Sequence, residues 1–295
     1  MTIPGPGPGA APRGPSDGGR RASSTVTFLS DFGLDDEFVG EVHLVIAAVA
    51  PQARVIDLAH RVPAHDVAAA ARVLVRASPW LSDVVLALVD PGAGTPRRAV
   101  IVEAVDGVGT PSVVFVGPDN GLLPPAVAAI GAFGRVVEIA REGRTAAGPS
   151  GGGPTFDGRD VLAVAAAHLC NGVDLGELGD RIDPDGLVTL REARATAGED
   201  GGWAGHVQWI DHFGNVELDV AGSAIAGWAP DVEVTVPGVP AVPAVTVAAY
   251  DEIPGGRIGL LVDSEGWVSL AANRCSAAAA LEVEAGDPVT LRPRR

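Results

Sequence analysis

Residues 83–89 read DVVLALV, six aliphatic side chains in succession behind one carboxylate. A strand without polar alternation has to be covered on both faces, since neither face can be left to water. That need for a layer above and a layer below constrains the fold more than any other segment. The sequence around the run supplies the layers. Residues 25–30 and 54–59 read as strands. A helix running to about residue 50 puts Phe38, Val42, Val45, Ile46 and Val49 on one face, with Asp35 and Asp36 placed to cap it. Residues 62–78 read as an Ala-rich helix with Asp66 in its first turn. Strand patterns recur at 99–102, 113–116 and 135–139, and a further helix covers about 159–171. Alternating strands and helices imply an N-terminal layered α/β domain with a mainly parallel sheet.

Beyond residue 190 the texture changes. Short alternating runs at 205–211, 216–220, 232–236, 257–262, 267–271 and 288–291 are punctuated by Gly, Pro and Asp. This is the pattern of a smaller C-terminal antiparallel β-barrel domain. The Val- and Pro-rich stretch 232–247 reads as a β-edge or loop excursion, because proline cannot donate to a central ladder. The expected organisation is a disordered tail over 1–24, with six Gly and five Pro, an α/β domain over 25–193, a linker over 194–204 and a barrel over 205–295.

Charge and composition narrow the function. The net charge of −16 argues against a nucleic-acid binder, which needs a basic face. All 21 basic residues are Arg, which excludes Schiff-base lysine chemistry and the lysine-bearing phosphate loop. The six histidines show no metal-binding spacing and the two cysteines, Cys170 and Cys275, read as small core residues. No metal or cofactor is expected. No run of about 18 uncharged apolar residues is present, and no secretory pattern, so a cytoplasmic protein with a small-molecule partner is the expectation.

In open α/β sheets ligands bind beyond the carboxyl ends of the strands. Four polar, Gly-rich loops fall there: SDFG at 30–33, DPGAGT at 90–95, GPDNG at 117–121 and TFDGRD at 155–160. None has dinucleotide-fingerprint spacing, and no GxSxG elbow is present.

These loops, with VIDLAHRVPAHDV, IDHFGNV and SEGWVSLAANRCSAA, resemble the S-adenosylmethionine hydroxide adenosyltransferases, or S-adenosylmethionine hydrolases, relatives of the fluorinases and chlorinases. The resemblance spans residues 25 to 291. It implies an N-terminal α/β domain and a C-terminal barrel. It also implies a homotrimer that holds ligand between one subunit's N-terminal domain and its neighbour's C-terminal domain. The implied reaction is displacement of methionine from the ribose 5′ carbon, by water in the hydrolases or by halide in their relatives. A catalytically weak S-adenosylmethionine- or adenosine-binding protein is the third alternative.

By resemblance, Asp31 accepts both ribose hydroxyls. Asp90 and Arg97 fall on the first two members of the Asp, Arg and His triad that holds the attacking water in the hydrolases, and a simple ion pair fixing the loop is equally compatible with them. The third member falls at Asp157, so the family's His is Asp here. Two carboxylates beside one Arg either share a proton, or Asp157 pairs with Arg97 or Arg98 and activity drops. The sequence leaves both open. Asp211 would pair with the methionine ammonium, Phe213 would pack on adenine, and Asn215 would hydrogen-bond it, although Asn215 is also a natural turn residue. Ser264 lies where the family holds the methionine carboxylate. Halogenases lack the Asp and Arg of the triad, so Asp90 and Arg97 favour water.

Overall fold

The computed structural model describes residues 25–140, 155–190 and 194–294. The tail expected over 1–24 lies outside them. The chain divides into two compact units between Leu190 and Arg191.

The first unit carries β1 (Thr25–Ser30), α1 (Phe38–Val49), β2 (Arg54–Ala59), α2 (Val67–Ala77), β3 (Asp83–Leu88), β4 (Ala99–Val105), β5 (Pro111–Pro118), α3 (Pro124–Ile130), β6 (Ala132–Ile139), α4 (Ala163–Cys170), α5 (Leu175–Leu178) and β7 (Gly179–Arg181). The strands form one sheet in the order β2-β1-β3-β5-β4-β6-β7. β2, β1, β3 and β5 pair in parallel, while β4 and β7 are the reversed strands. Val84 to Val89 are all fully buried or within 1% of it, as the uninterrupted aliphatic run requires. On one face Val84, Leu86 and Leu88 share a core with Val42 and Ile46 of α1 and with most of α4. Val85 and Ala87 point the other way by the strand's two-residue period, and Leu74 of α2 and Val127 of α3 are likewise buried.

The helix starts differ from expectation. α1 begins at Phe38 with Glu37 at its cap position and no side-chain cap bond, so Asp35 and Asp36 lie in the preceding turn and do not cap it. Tertiary packing sets this start, because the Phe38 ring meets Phe32 and Phe156 edge-on. α2 begins five residues later than expected, at Val67, with Asp66 as its cap, accepting the Ala69 N–H at 2.8 Å. His65 just before it takes a left-handed φ of 67°, which no helix can include. The helix expected from 159 opens as a π-helical turn over Gly158–Leu162 before α4.

The second unit carries β8 (Thr196–Ala197), β9 (Trp203–Ile210), β10 (Val216–Ala221), β11 (Asp231–Thr235), β12 (Val242–Thr246), β13 (Ile258–Val262), β14 (Trp267–Ala272), α6 (Ala277–Leu281) and β15 (Pro288–Pro293). The order β10-β14-β13-β12-β11-β15-β9 closes through a β9–β10 pairing, and β8 adds to β9. Residues 196–197 and 203–204, within the stretch read as a linker, therefore pair as strand. The expectation of a β-edge or loop excursion at 232–247 is corrected: β12 is a barrel strand between β11 and β13 despite Pro243. Its pairing with β13 starts at Ala244, so the missing proline N–H costs that ladder nothing. Cys170 is buried as expected, but Cys275 is exposed, in the turn after β14 that contains the left-handed Arg274.

Candidate active site

Because β1, β3 and β5 run in parallel side by side, the loops at 30–33, 90–95 and 117–121 leave the same edge of the sheet. The strand-end glycine Gly117 keeps that edge narrow: a Cβ there would sit 2.8 Å from the Ala87 carbonyl. The fourth loop joins them. Gly158 backs onto Leu88 and Phe32, with room for a hydrogen where a Cβ would approach within 3.2 and 3.4 Å of those side chains.

Two of these loops, 90–95 and 155–160, are joined by Arg97. One guanidinium nitrogen lies 2.5 Å from Asp90 Oδ2 and 3.5 Å from Asp157 Oδ2. All three side chains are largely buried, at 10% exposure for Arg97, 13% for Asp90 and 5% for Asp157. A second guanidinium nitrogen of Arg97 donates to the Arg98 carbonyl. Of the two partners left open for Asp157, the structure selects Arg97. Arg98 is engaged elsewhere, donating to Asp119 at 2.5 and 2.8 Å and to the Gly186 carbonyl. Burial pushes the Asp90 carboxyl above its ordinary value. Arg97 and the Gly92 N–H oppose that rise, and the Asp157 charge adds to it.

Asp31 sits at the start of its loop with Oδ2 accepting the His65 N–H at 2.8 Å. It is not in the Arg97 cluster. Beside it Phe32, Phe38 and Phe156 pack edge-on with ring centroids 5.4 to 6.0 Å apart, and Arg159 lies over the Phe156 face at 4.8 Å. Phe32 and Phe156 are the sequence neighbours of Asp31 and Asp157. Its neighbours at 30–33 and 155–160 were legible; the meeting of the three rings was not, because their positions are 124 residues apart at the extreme.

In the second unit, Asp211, Phe213 and Asn215 form one turn between β9 and β10. Asp211 Oδ1 accepts the Phe213 and Asn215 N–H groups at 2.8 and 2.9 Å, and the Asn215 amide donates to Asp211 Oδ2 at 2.8 Å. Gly214 makes the turn possible with a φ of 83°, and a Cβ there would overlap Ser276. Phe213 stands 75% exposed at the tip. Ser264 lies in the separate β13–β14 turn, its hydroxyl 3.4 Å from Glu265 Oε1. Sequence reasoning missed Tyr250, the chain's one tyrosine. Burial raises its phenol pKa, and the charges of Asp211 and Asp263 raise it further. Nothing in its local sequence marks it; its 39-residue separation from Asp211 is closed only by the barrel. Among the described residues no group of three or more His, Cys, Asp or Glu is arranged to hold a metal.

A layered α/β unit with a buried carboxylate–guanidinium cluster at its strand ends, followed by a small closed barrel, defines a two-domain protein of the α/β ligand-binding class. Models of the SAM hydroxide adenosyltransferase N-terminal and C-terminal domains match residues 26–179 and 205–290. The chain is 40% identical over 263 residues to the (R)-S-adenosyl-L-methionine hydrolase of Salinispora tropica, covering 89% of this chain and 95% of that one. It is 39% identical over 277 residues to the hydrolase of the same name from Thermus thermophilus, covering 90% and 98%. A fluorinase from Actinoplanes sp. is 25% identical over 296 residues, covering 90% and 96%. The crystal structure of an uncharacterized conserved protein from Thermotoga maritima superposes with a TM-score of 0.78 at 30% identity, covering 90% and 99%. The chain belongs to the SAM hydroxide adenosyltransferase family.

Arg97→Gln leaves two buried carboxylates without their cation, which should cost about 3–5 kcal/mol of unfolding free energy at neutral pH. Acids whose pKa rises on folding keep their stability below about 3.9 and lose it as pH climbs through the raised value. The gap between variant and native protein, followed by urea unfolding, should therefore be widest at neutral pH and close as pH falls. A gap that does not depend on pH would mean that the cluster is not electrostatically coupled.

Proposed function

We propose that this protein hydrolyses S-adenosyl-L-methionine to adenosine and L-methionine by in-line attack of water on the ribose 5′ carbon. The observation that carries the reading is the Arg97 guanidinium held between Asp90 and Asp157 in a largely buried site. A C5′–O bond forms while the C5′–S bond breaks, and sulfur leaves with the bonding pair as a neutral thioether. Such a leaving group needs no acid, so the site's task is to orient the water, strip its solvent and take one proton. Arg97 polarises the water, and the coupled Asp90–Asp157 pair receives the proton. The Phe32–Phe38–Phe156 wall supports this by excluding other water. Two carboxylates repel an incoming halide, which favours hydrolysis over halogenation.

Asp31, with one oxygen tied to His65, offers its other oxygen to the ribose diol. Asp211, Phe213 and Asn215 take the ammonium and adenine, and Ser264 the methionine carboxylate. Asp211 and Asn215 bond each other without ligand, so ligand binding exchanges that bond for a new one. We assign no cofactor, a homotrimer with sites at subunit interfaces, and a cytoplasmic setting, which suits two cysteines that form no disulfide. Among the described residues no helix is long and apolar enough to cross a membrane.

Incubation with S-adenosylmethionine should yield adenosine and methionine by chromatography, unchanged by EDTA or chloride; a 5′-chlorinated nucleoside would overturn the reading. Light scattering at micromolar protein should give three times the chain mass, and a monomer that still binds adenosine would rule the shared site out.

The base works only when ionised. Because the Asp90 pKa is raised, kcat/KM should fall with decreasing pH through a value above the ordinary ~3.9 of aspartate. Asp157→His replaces one carboxylate of the pair by imidazole and should move that limb toward ~6.5. An unmoved limb would remove Asp157 from proton handling.

A further inference from the structure

Behind the Asp31 loop lies a buried polar chain that the proposed reaction does not use. It starts at Ser30, the last residue of β1 and fully buried. Ser30 Oγ lies 2.8 Å from Nδ1 of His60, which is itself only 6% exposed at the end of β2. The far ring nitrogen of His60, Nε2, sits 3.0 Å from Asp57 Oδ1, outside good hydrogen-bond alignment. The same carboxylate oxygen meets His43 Nε2 at 2.8 Å near the surface. The His60 ring packs on Phe28, with centroids 4.5 Å apart.

His60 touches the Asp31 loop at several points. Its carbonyl accepts the Gly33 N–H at 2.7 Å. Through Ser30 it reaches the Phe32 N–H, which donates to Ser30 Oγ at 3.4 Å. The same β2–α2 connection holds Asp31 directly, through the His65 N–H. A proton on Nε2, facing the Asp57 carboxylate, makes Nδ1 an acceptor for the Ser30 hydroxyl and leaves the Ser30 lone pairs to Phe32. Residues on both sides of Asp31 are thus tied to one imidazole.

A buried polar chain is costly where an aliphatic side chain would fill the space beside Phe28. Ser30 is fully buried, so its hydroxyl is no nucleophile despite the Ser–His–Asp order. What the chain does determine is where the Phe32 peptide sits, while the His60 main-chain carbonyl holds Gly33, and with them the direction of the Asp31 carboxylate. We infer that His60 is a positioning residue that aims Asp31 at the ribose diol of the nucleoside. This rests on the reading of Asp31 as the ribose ligand.

The test uses the full-length protein, adenosine binding by calorimetry, and S-adenosylmethionine kinetics. His60→Leu, which keeps bulk but removes the acceptor, should raise the adenosine Kd and the KM about tenfold, the worth of one well-placed charged hydrogen bond, and leave kcat within about threefold. His60→Asn carries an acceptor in the place of Nδ1 and should restore both constants to within about threefold of native. Should His60→Leu not fold, Ser30→Ala removes the same link with little change of volume and should raise Kd and KM without lowering kcat. Native-like adenosine binding by both His60→Leu and Ser30→Ala overturns the inference. So does a loss of kcat together with KM that His60→Asn fails to rescue, since that is a purely structural role. Asp31→Ala separates the two levels. If it binds adenosine as tightly as the native protein, the ribose assignment itself fails; if it loses binding while the His60 and Ser30 variants do not, only the positioning role fails.

Discussion

The structure of the first unit depends on covering β3 on both faces. An apolar strand with no wet side forces helices above and below it and leaves no place for a charge along its length. Polar chemistry is thereby pushed to the strand ends. Since β1, β3 and β5 run the same way, their carboxyl ends meet, and Asp31, Asp90 and the 117–121 loop emerge beside one another. The site is the place where the sheet's exclusion of polar groups stops.

At that edge, burial acts in two directions. It makes the attraction between Arg97 and its two carboxylates stronger than it would be in water, and it makes each carboxylate costly to ionise. Burial is the main cause of the raised Asp90 pKa; Arg97 at 2.5 Å opposes it, and the Asp157 charge adds a smaller push upward. A general base needs that property: a carboxylate fully satisfied by its cation has no reason to take a proton.

The second unit works by turn geometry. Gly214 takes a positive φ so that Asp211 can cap its own turn and fix Asn215, and the exposed Phe213 is carried at the tip. Tyr250 has its phenol pushed up by burial and by the charges of Asp211 and Asp263.

Much of this was written locally. The strands β1 and β2 follow from alternation and aliphatic runs to the residue, β3 to within one residue, and the loops that carry Asp31, Asp90 and Asp157 declare themselves by Gly, Asp and Pro in short spans. Such features depend on interactions a few residues apart, which sequence displays. Three things required the tertiary structure. The start of α1 at Phe38 is set by rings from two other segments and not by Asp35 or Asp36. Pro243 is admitted to a barrel strand because of where its neighbour's pairing begins. Arg97, not Arg98, receives Asp157 across 60 residues, while Arg98 is claimed by Asp119. In each case the packing of distant segments, which sets distance and dielectric, decided the outcome.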